Sequence, residues 1–420
     1  METPVVPTAS TAPLPELAIY LEPFAPLFRR STSRESLERY VTGLLTDLPH
    51  KNCDTIARAV AGTSTERLQH LLTDAVWEPQ ALDQQRVRAL VAQSPPQGIL
   101  VLDDTGLPKR GRGSVGVAHQ DAGTLGKSAN CQVLVSAHYV ADAPTSRAPV
   151  HWPLTAQLYL PEAWATDRAR RAKVRVPTAL AFQTKPALAL ALLDQARAWG
   201  VPFATVVTDA GAGDTPTFLR GLDDRHVAYV VGVSGTFGVR LPDAGRAAAL
   251  VPPPRPPPLA EAQAVLETLP AERWQTIPWR APEGAVLRKQ WVAVRVHWAT
   301  GGAQGSTSHP RVATGPEGWL LGERPVPGVR GEVKWYYSNL PADTPLRRLV
   351  ELAHSRWPLE QFYEDAKDAC GLDHYQGRRW DGLHRHLALV MLAYSFLVRQ
   401  HWRPAMSAGV SPSGERPAFL

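Results

Sequence analysis

Ile99-Leu-Val-Leu-Asp-Asp-Thr105 is a four-residue apolar run that ends on two acids. Such a run reads as a buried strand, and a strand that stops on carboxylates delivers them to the sheet edge where α/β folds bind ligands. The pattern recurs: Phe203 to Thr208 is a second apolar strand, and it stops on Asp209 in V-V-T-D-A-G-A-G-D. Between the two, Cys131 to Val140 and Val150 to Leu160 read as strands, the latter bent at Pro153. With Ile99 to Leu102 they form three consecutive strands, the antiparallel half of a mixed sheet. Helical patterns cover Glu162 to Lys173, Pro186 to Trp199 with Gly200 as C-cap, and Thr215 to Asp223, and Val227 to Val233 is another strand. The resulting order is β-β-β-α-β-α-β.

Composition sets the outer bounds. A chain of 420 residues with 44% apolar content has material for two or three domains with a real core. Lys and Arg number 45 against 39 Asp and Glu, a formal charge of +6, compatible with a polyanionic partner without identifying one. Cys53, Cys131 and Cys370 are odd in number and lack C-x-x-C spacing, so they form neither a disulfide framework nor a zinc site, and a reducing compartment fits. The N-terminus does not read as a signal peptide, and the apolar run Leu387 to Val398 is too short to span a bilayer. These features lead to the expectation of a soluble, cytoplasmic protein with no membrane partner.

Phe24 to Val91 is helical in pattern. Ser33 to Leu48 follows a Thr32-x-x-Glu35 capping-box signature, while Asp54 to Val60 and Thr65 to Ala75 flank a turn at Gly62 to Ser64. The last pair has the layout of a helix-turn-helix. Between Ser234 and Leu340 the chain turns Pro-rich, with V-P-P-P-R-P-P-P at Val251 to Pro258 as a stiff linker. Gln290 to Trp298, Gly318 to Leu321 and Lys334 to Tyr337 alternate as short strands, a β-rich insertion. Thr344 to Ala353 and Asp381 to His401 are helical, and the tail from Ser407 reads as disordered.

Two phosphate-binding look-alikes fail on context. Gly111, Gly113 and Gly116 satisfy G-x-G-x-x-G, and Gly126-Lys127-Ser128 ends like a P-loop. Neither is followed by the helix whose N-terminal amides would hold a phosphate. Lys109, Arg110, Arg112 and Lys127 read instead as a mobile basic loop.

Arg356-Trp-Pro-Leu-Glu-Gln-Phe-Tyr-Glu-Asp-Ala-Lys367 puts an acid between two bases at helical spacing. Arg356, Glu360, Tyr363 and Lys367 fall within roughly 60° of one face, while Leu359, Phe362 and Ala366 carry the apolar one. Pro358 fits only a first turn, so the helix is expected to begin near Ser355. The bland reading is a solvated salt-bridge ladder. Against it stand Asp103 or Asp104 and Asp209, carboxylates at strand ends that join Glu360 into a set of three.

The strand order and these acids resemble a ribonuclease-H-like core, and the whole chain resembles a DDE transposase of a bacterial insertion sequence. The closest likeness is to the branch with the signature Y-x-x-R-x-x-x-E-x-x-x-x-x-x-K after a β-rich insertion. Arg356, Glu360 and Lys367 keep that spacing, and Ala353 stands at the tyrosine position. D-D-T-G-x-P-K, G-T-L-G-K-x-x-N-C-Q, L-Y-L-P at 158–161 with Trp164, and G-L-D-x-Y before Arg385-His386 add to the likeness.

The resemblance implies an α/β fold with a ribonuclease-H-like mixed sheet, a β-rich insertion and an N-terminal helical domain. The corresponding organisation is a disordered arm at 1–20, a helical DNA-binding domain at 21–95, core at 96–234, insertion at 235–340, the rest of the core at 341–402, and a disordered tail at 403–420. It also implies that Asp104, Asp209 and Glu360 hold Mg²⁺, with Mn²⁺ as a substitute and Asp103 the alternative to Asp104. Arg356 and Lys367 would contact transposon-end phosphates in preference to pairing with Glu360. The implied partners are terminal inverted repeats and target DNA, with a dimer in the synaptic complex and a nucleoid-associated location. Two rivals remain at this point: a haloacid-dehalogenase-type phosphohydrolase, whose D-x-D-x-T motif D-D-T-G does not match, and a catalytically silent DNA-binding derivative. Other residues have structural readings: His384 and His386 cap or pack the last helix, Asp214 is an N-cap, and Trp319 and Trp335 belong to the insertion core.

Overall fold

The computed structural model describes residues 14–122, 127–143, 150–242, 258–280, 286–300 and 314–408. The N-terminal segment is helical throughout: α1 (Pro15–Leu21), α2 (Ser31–Leu45), α3 (Cys53–Ala59), α4 (Thr65–Thr73) and α5 (Pro79–Val91). The capping box expected at Thr32 is not formed, because α2 begins earlier, at Ser31, with Arg30 as an N-cap that makes no side-chain bond. A reciprocal capping box occurs one helix later, between Asn52 and Thr55 at the start of α3. Gly62 takes a left-handed φ of 79° between α3 and α4, and Ser64 caps α4 through the Arg67 amide, so the expected helix-turn-helix layout is present.

The sheet begins with β1 (Gly98–Pro108), β2 (Ala118–Ala122), β3 (Lys127–Ala141) and β4 (His151–Tyr159). β1 runs five residues beyond Asp103, so the acids lie inside the strand, not at its end as expected. What ends at this level is its neighbour: β1 pairs in parallel with β5 (Thr205–Thr208) only as far as Leu102↔Thr208. The bend at Pro153 appears as a register shift in the β3–β4 ladder, where Arg86 of α5 donates to the carbonyls of Pro153 and Leu154. The helix expected over 162–173 is two, α6 (Glu162–Ala165) and α7 (Arg168–Lys173), because Asp167 caps a fresh start by accepting from the Arg170 amide. α8 (Lys185–Ala198), α9 (Ala210–Gly213), α10 (Pro216–Asp224) and β6 (Ala228–Val233) complete the first half.

The strands of the insertion do not form a separate sheet. β7 (Gly238–Arg240), β8 (Ala260–Glu261), β9 (Gln275–Arg280), β10 (Val286–Ala299), β11 (Thr314–Pro325) and β12 (Lys334–Ser338), with α11 (Ala262–Glu267) between them, continue the sheet of the first half. β12 pairs antiparallel with β6, giving one twelve-stranded sheet in the order β2-β3-β1-β5-β6-β12-β11-β10-β7-β8, with β4 on β3 and β9 on β10. The chain then closes with α12 (Leu346–His354), α13 (Trp357–Asp368) and α14 (Trp380–Ala408). This is the expected α/β architecture with a ribonuclease-H-like mixed sheet.

Alternation along β1 divides the core between the two sheet faces. Ile99, Val101 and Leu107 pack with Leu359, Phe362 and the apolar stripe of α14, whereas Leu100 and Leu102 pack with Leu188, Leu192 and Phe218 of α8 and α10. Among the described residues no helix is long and apolar enough to cross a membrane. The expected disordered arm and tail are each corrected in part: α1 occupies 15–21 with Leu17 and Tyr20 buried, and α14 runs through Ala408, while residues 1–13, the Pro-rich stretch at 251–257 and residues 409–420 lie outside the described residues.

Candidate active site

The same alternation separates the two adjacent acids of β1. Asp103 shares the parity of Val101 and faces α13, where its Oδ2 accepts from Arg356 at 2.5 Å. Asp104 shares the parity of Leu102 and forms a 2.9 Å ion pair with Lys185 at the start of α8. Asp209 continues β5 with the parity of Val207, which is the Asp103 side, since Val101 is paired with Val207. Its Oδ1 accepts from the Gly211 amide and so caps α9. Gly213, four residues on, is sterically required: a Cβ there would stand 2.0 Å from the Gly232 carbonyl oxygen of β6.

Glu360 lies in the first turn of α13, with Pro358 tolerated at the helix start. Its Oε1 accepts from Arg356 at 2.5 Å, so the i,i+4 pair of the bland reading exists. The guanidinium bridges Glu360 and Asp103, so the pairing with Glu360 that was expected to yield to DNA phosphates is formed in this structure. Burial opposes the charge on Arg356, but Asp103, Glu360 and Asp209 outweigh it and hold the guanidinium protonated beyond its ordinary range. Burial raises the Asp103 carboxyl to about 7, with Arg356 opposing and the charges of Asp209 and Asp104 adding to the rise. Asp104 is also raised, by burial first, with Lys185 opposing and Asp209 adding.

The rest of α13 fixes this arrangement. Tyr363 is buried, and its hydroxyl shares a 2.6 Å hydrogen bond with Ser136 of β3. Lys367 donates to Thr105 at 3.1 Å, and burial lowers its pKa. Ala353, at the tyrosine position of the signature, is 7% exposed in the core. On the insertion side, Glu323 of β11 is 3% exposed and accepts from Tyr336 at 2.9 Å, with His354 and Lys289 each 3.3 Å away. Burial alone would raise the Glu323 carboxyl, but His354, Tyr336 and Lys289 bring it down to about 2.

The remaining expected residues divide. Lys109 is not part of a mobile loop: it donates to the carbonyls of Asp373 and Tyr375, and burial lowers its pKa. Arg110 and Arg112 are exposed, and the Lys127 side chain lies outside the described residues. β2 follows the G-x-G-x-x-G glycines and β3 begins at Lys127, so both nucleotide look-alikes lack the helix they need. His386 is fully buried between Tyr40 and the Gly371 carbonyl, and His384 bonds the Trp380 carbonyl, as expected. Asp214 is corrected: it ends α9 and accepts from the Ser234 amide. Sequence reasoning missed Lys185, Ser136 and Glu323, none of which stands in a local pattern: strand pairing brings Ser136 and Glu323 here, and the packing of α8 on the sheet brings Lys185.

Asp103, Asp209 and Glu360 form an all-oxygen donor set arranged around one positive charge, the kind of set that hard divalent cations favour. Among the described residues no three acidic, histidine or cysteine side chains stand close enough together to hold an ion as they are, and Arg356 lies among these three. Their donor chemistry, carboxylate oxygens alone, is of the kind that suits a divalent ion.

Residues 23–297 match the profile of a family described as DDE superfamily endonuclease. That span includes Asp103, Asp104 and Asp209 and ends before Glu360. A curated relative, the probable transposase for insertion sequence element IS701 of Microchaete diplosiphon, is 27% identical over 225 residues, 53% of this chain and 54% of that protein. The match thus spans about half the length of each.

Proposed function

From the premise that this chain belongs to the DDE superfamily of endonucleases, we propose that it is an insertion-sequence transposase, which cuts the ends of its element and joins the freed 3′-hydroxyl to target DNA. The observation that carries this reading is the gathering of Asp103, Asp209 and Glu360, from β1, the end of β5 and the start of α13, around the Arg356 guanidinium. Enzymes of this superfamily generally use divalent metal ions. Asp103, Asp209 and Glu360 would hold two Mg²⁺ ions, or Mn²⁺ in their place, which would supply activation of the attacking oxygen and stabilisation of the leaving one.

The chain's own residues do the remainder. β1 and β5, buried on both faces, hold two carboxylates on a rigid sheet, and α13 brings the third. In this reading Asp103 takes the role that the sequence favoured for Asp104, because its side chain shares the face of Glu360. Asp104, tied to Lys185, helps to hold β1 against α8. Arg356 exchanges its carboxylate partners for a DNA phosphate when substrate enters, and Lys367 follows by leaving the Thr105 hydroxyl. The α3–α4 pair reads the element's terminal inverted repeats, with Arg110, Arg112 and Lys127 on the backbone, and two copies bring the two ends together. The site of action is the nucleoid.

The test is cleavage of DNA carrying the sequences that flank the gene. Glu360→Gln is expected to abolish strand cleavage while leaving binding of the same DNA intact. Cleavage retained at the wild-type rate overturns the assignment.

A further inference from the structure

The positive charge of this chain is unevenly placed. Residues 21–95, the helical segment, carry nine Lys and Arg against nine Asp and Glu. Residues 105–180 carry ten against four, an excess equal to the formal charge of the whole chain. Pairing deepens the contrast, because in the helical segment Arg39, Arg58 and Arg67 pair with Glu38, Asp54 and Glu35.

The fold gathers the excess into one surface. Arg170 of α7 lies over the Trp164 ring at 3.5 Å and donates to the Arg112 carbonyl at 3.1 Å. Trp164 donates to the Val117 carbonyl, which fastens α6 to the loop that follows β1. From the other side, the Arg378 carbonyl accepts from the Val115 amide, and a Cβ on Gly113 would stand 3.6 Å from the Arg378 side chain. The 109–117 loop, α7 and the α13–α14 connection at Arg378 are therefore one unit. Arg110, Arg112, Arg168, Lys173 and Arg378 are exposed on it, and none has an acidic partner within ion-pair distance among the described residues. Arg110 lies seven residues along the chain from Asp103, a strand distance of roughly 20 Å. That is about six base pairs of duplex.

We propose that this surface, not the helical segment, binds the phosphate backbone of the duplex leading away from the cleaved bond. The proposal rests on the transposase reading and adds a division of labour: the neutral helices contribute recognition, and the surface of Arg112, Arg168, Lys173 and Arg378 contributes sequence-independent affinity. Such binding releases counterions, so the slope of log affinity against log salt falls by about 0.9 for each phosphate that the protein no longer neutralises.

The experiment is a salt titration of duplex binding, read by fluorescence anisotropy with a labelled double-stranded oligonucleotide of arbitrary sequence. The full-length wild-type chain is compared with the R112A/R168A/K173A/R378A variant and with Arg347→Ala, an exposed base on α12. The expected result is a slope lower by about two to four in the quadruple variant, with an unchanged thermal midpoint and no change for Arg347→Ala. A steep wild-type slope that the quadruple variant keeps overturns the proposal and leaves the transposase reading standing. An equal loss on Arg347→Ala also overturns it, since the effect is then one of net charge. A wild-type chain that binds no duplex overturns both.

Discussion

Arg356 joins Asp103 across 253 residues of chain, donating to it at 2.5 Å while its other terminal nitrogen holds Glu360 at the same distance. A cation thus stands among three carboxylates whose mutual repulsion would otherwise disfavour the folded site. Arg356→Ala is expected to destabilise the metal-free protein by about 2 kcal/mol, less than the 3–5 of a fully buried pair because its side chain is 30% exposed. Added Mg²⁺ should then raise the unfolding midpoint of Arg356→Ala more than that of the wild type. Urea unfolding with and without MgCl₂ measures both, and equal increments would show that the guanidinium does not stand in for an ion.

Adjacent acids on opposite strand faces make a separable pair. Asp103→Asn should lower strand cleavage by about 100-fold or more, the loss of roughly 3 kcal/mol at the transition state. Asp104→Asn loses the Lys185 ion pair and should stay within about tenfold of wild type. Single-turnover cleavage ranks the two, and the reverse order would return the role to Asp104.

Glu323 gives the protein an acid-sensitive joint. Its folded pKa of about 2 lies below its ordinary 4.5, so its stabilising contribution is present above pH 4.5 and is lost as pH falls toward 2. The difference corresponds to about 3 kcal/mol. Denaturation curves across that window should fall more steeply for wild type than for Glu323→Gln, and parallel curves would contradict the shift.

Lys51 is a buried staple between the helical segment and α13. It is 3% exposed and donates to the carbonyls of Leu44 and Thr46 at 2.7 Å and of Ala369, the C-cap of α13, at 2.6 Å. Lys51→Met strands these acceptors and should cost roughly 3 kcal/mol in urea unfolding. A cost near zero would mean that other donors satisfy them.

The sequence was legible where the physics is local. Apolar runs marked the strands, Gly200 ended α8, and the spacing of Leu359, Phe362 and Ala366 identified the buried face of α13. Two consecutive acids, however, do not say which one faces the helix, because the strand's register is set by partners more than thirty residues away. Lys109 looked like a mobile base since nothing near it in sequence announces the Asp373 and Tyr375 carbonyls that hold it. That the β-rich insertion continues the core sheet was hidden for the same reason: the β6–β12 ladder, Val233 opposite Trp335, is a pairing between distant segments that alternation alone does not reveal.

The long interval between Asp103 and Arg356 also sets a schedule on the ribosome. At 5–20 residues per second, β1 leaves the exit tunnel roughly 10–50 s before α13 is made. Throughout that time a nascent chain has Asp103 but neither Glu360 nor the guanidinium beside it. The proposed nuclease site is therefore incomplete until α13 is made, and translation itself delays its assembly.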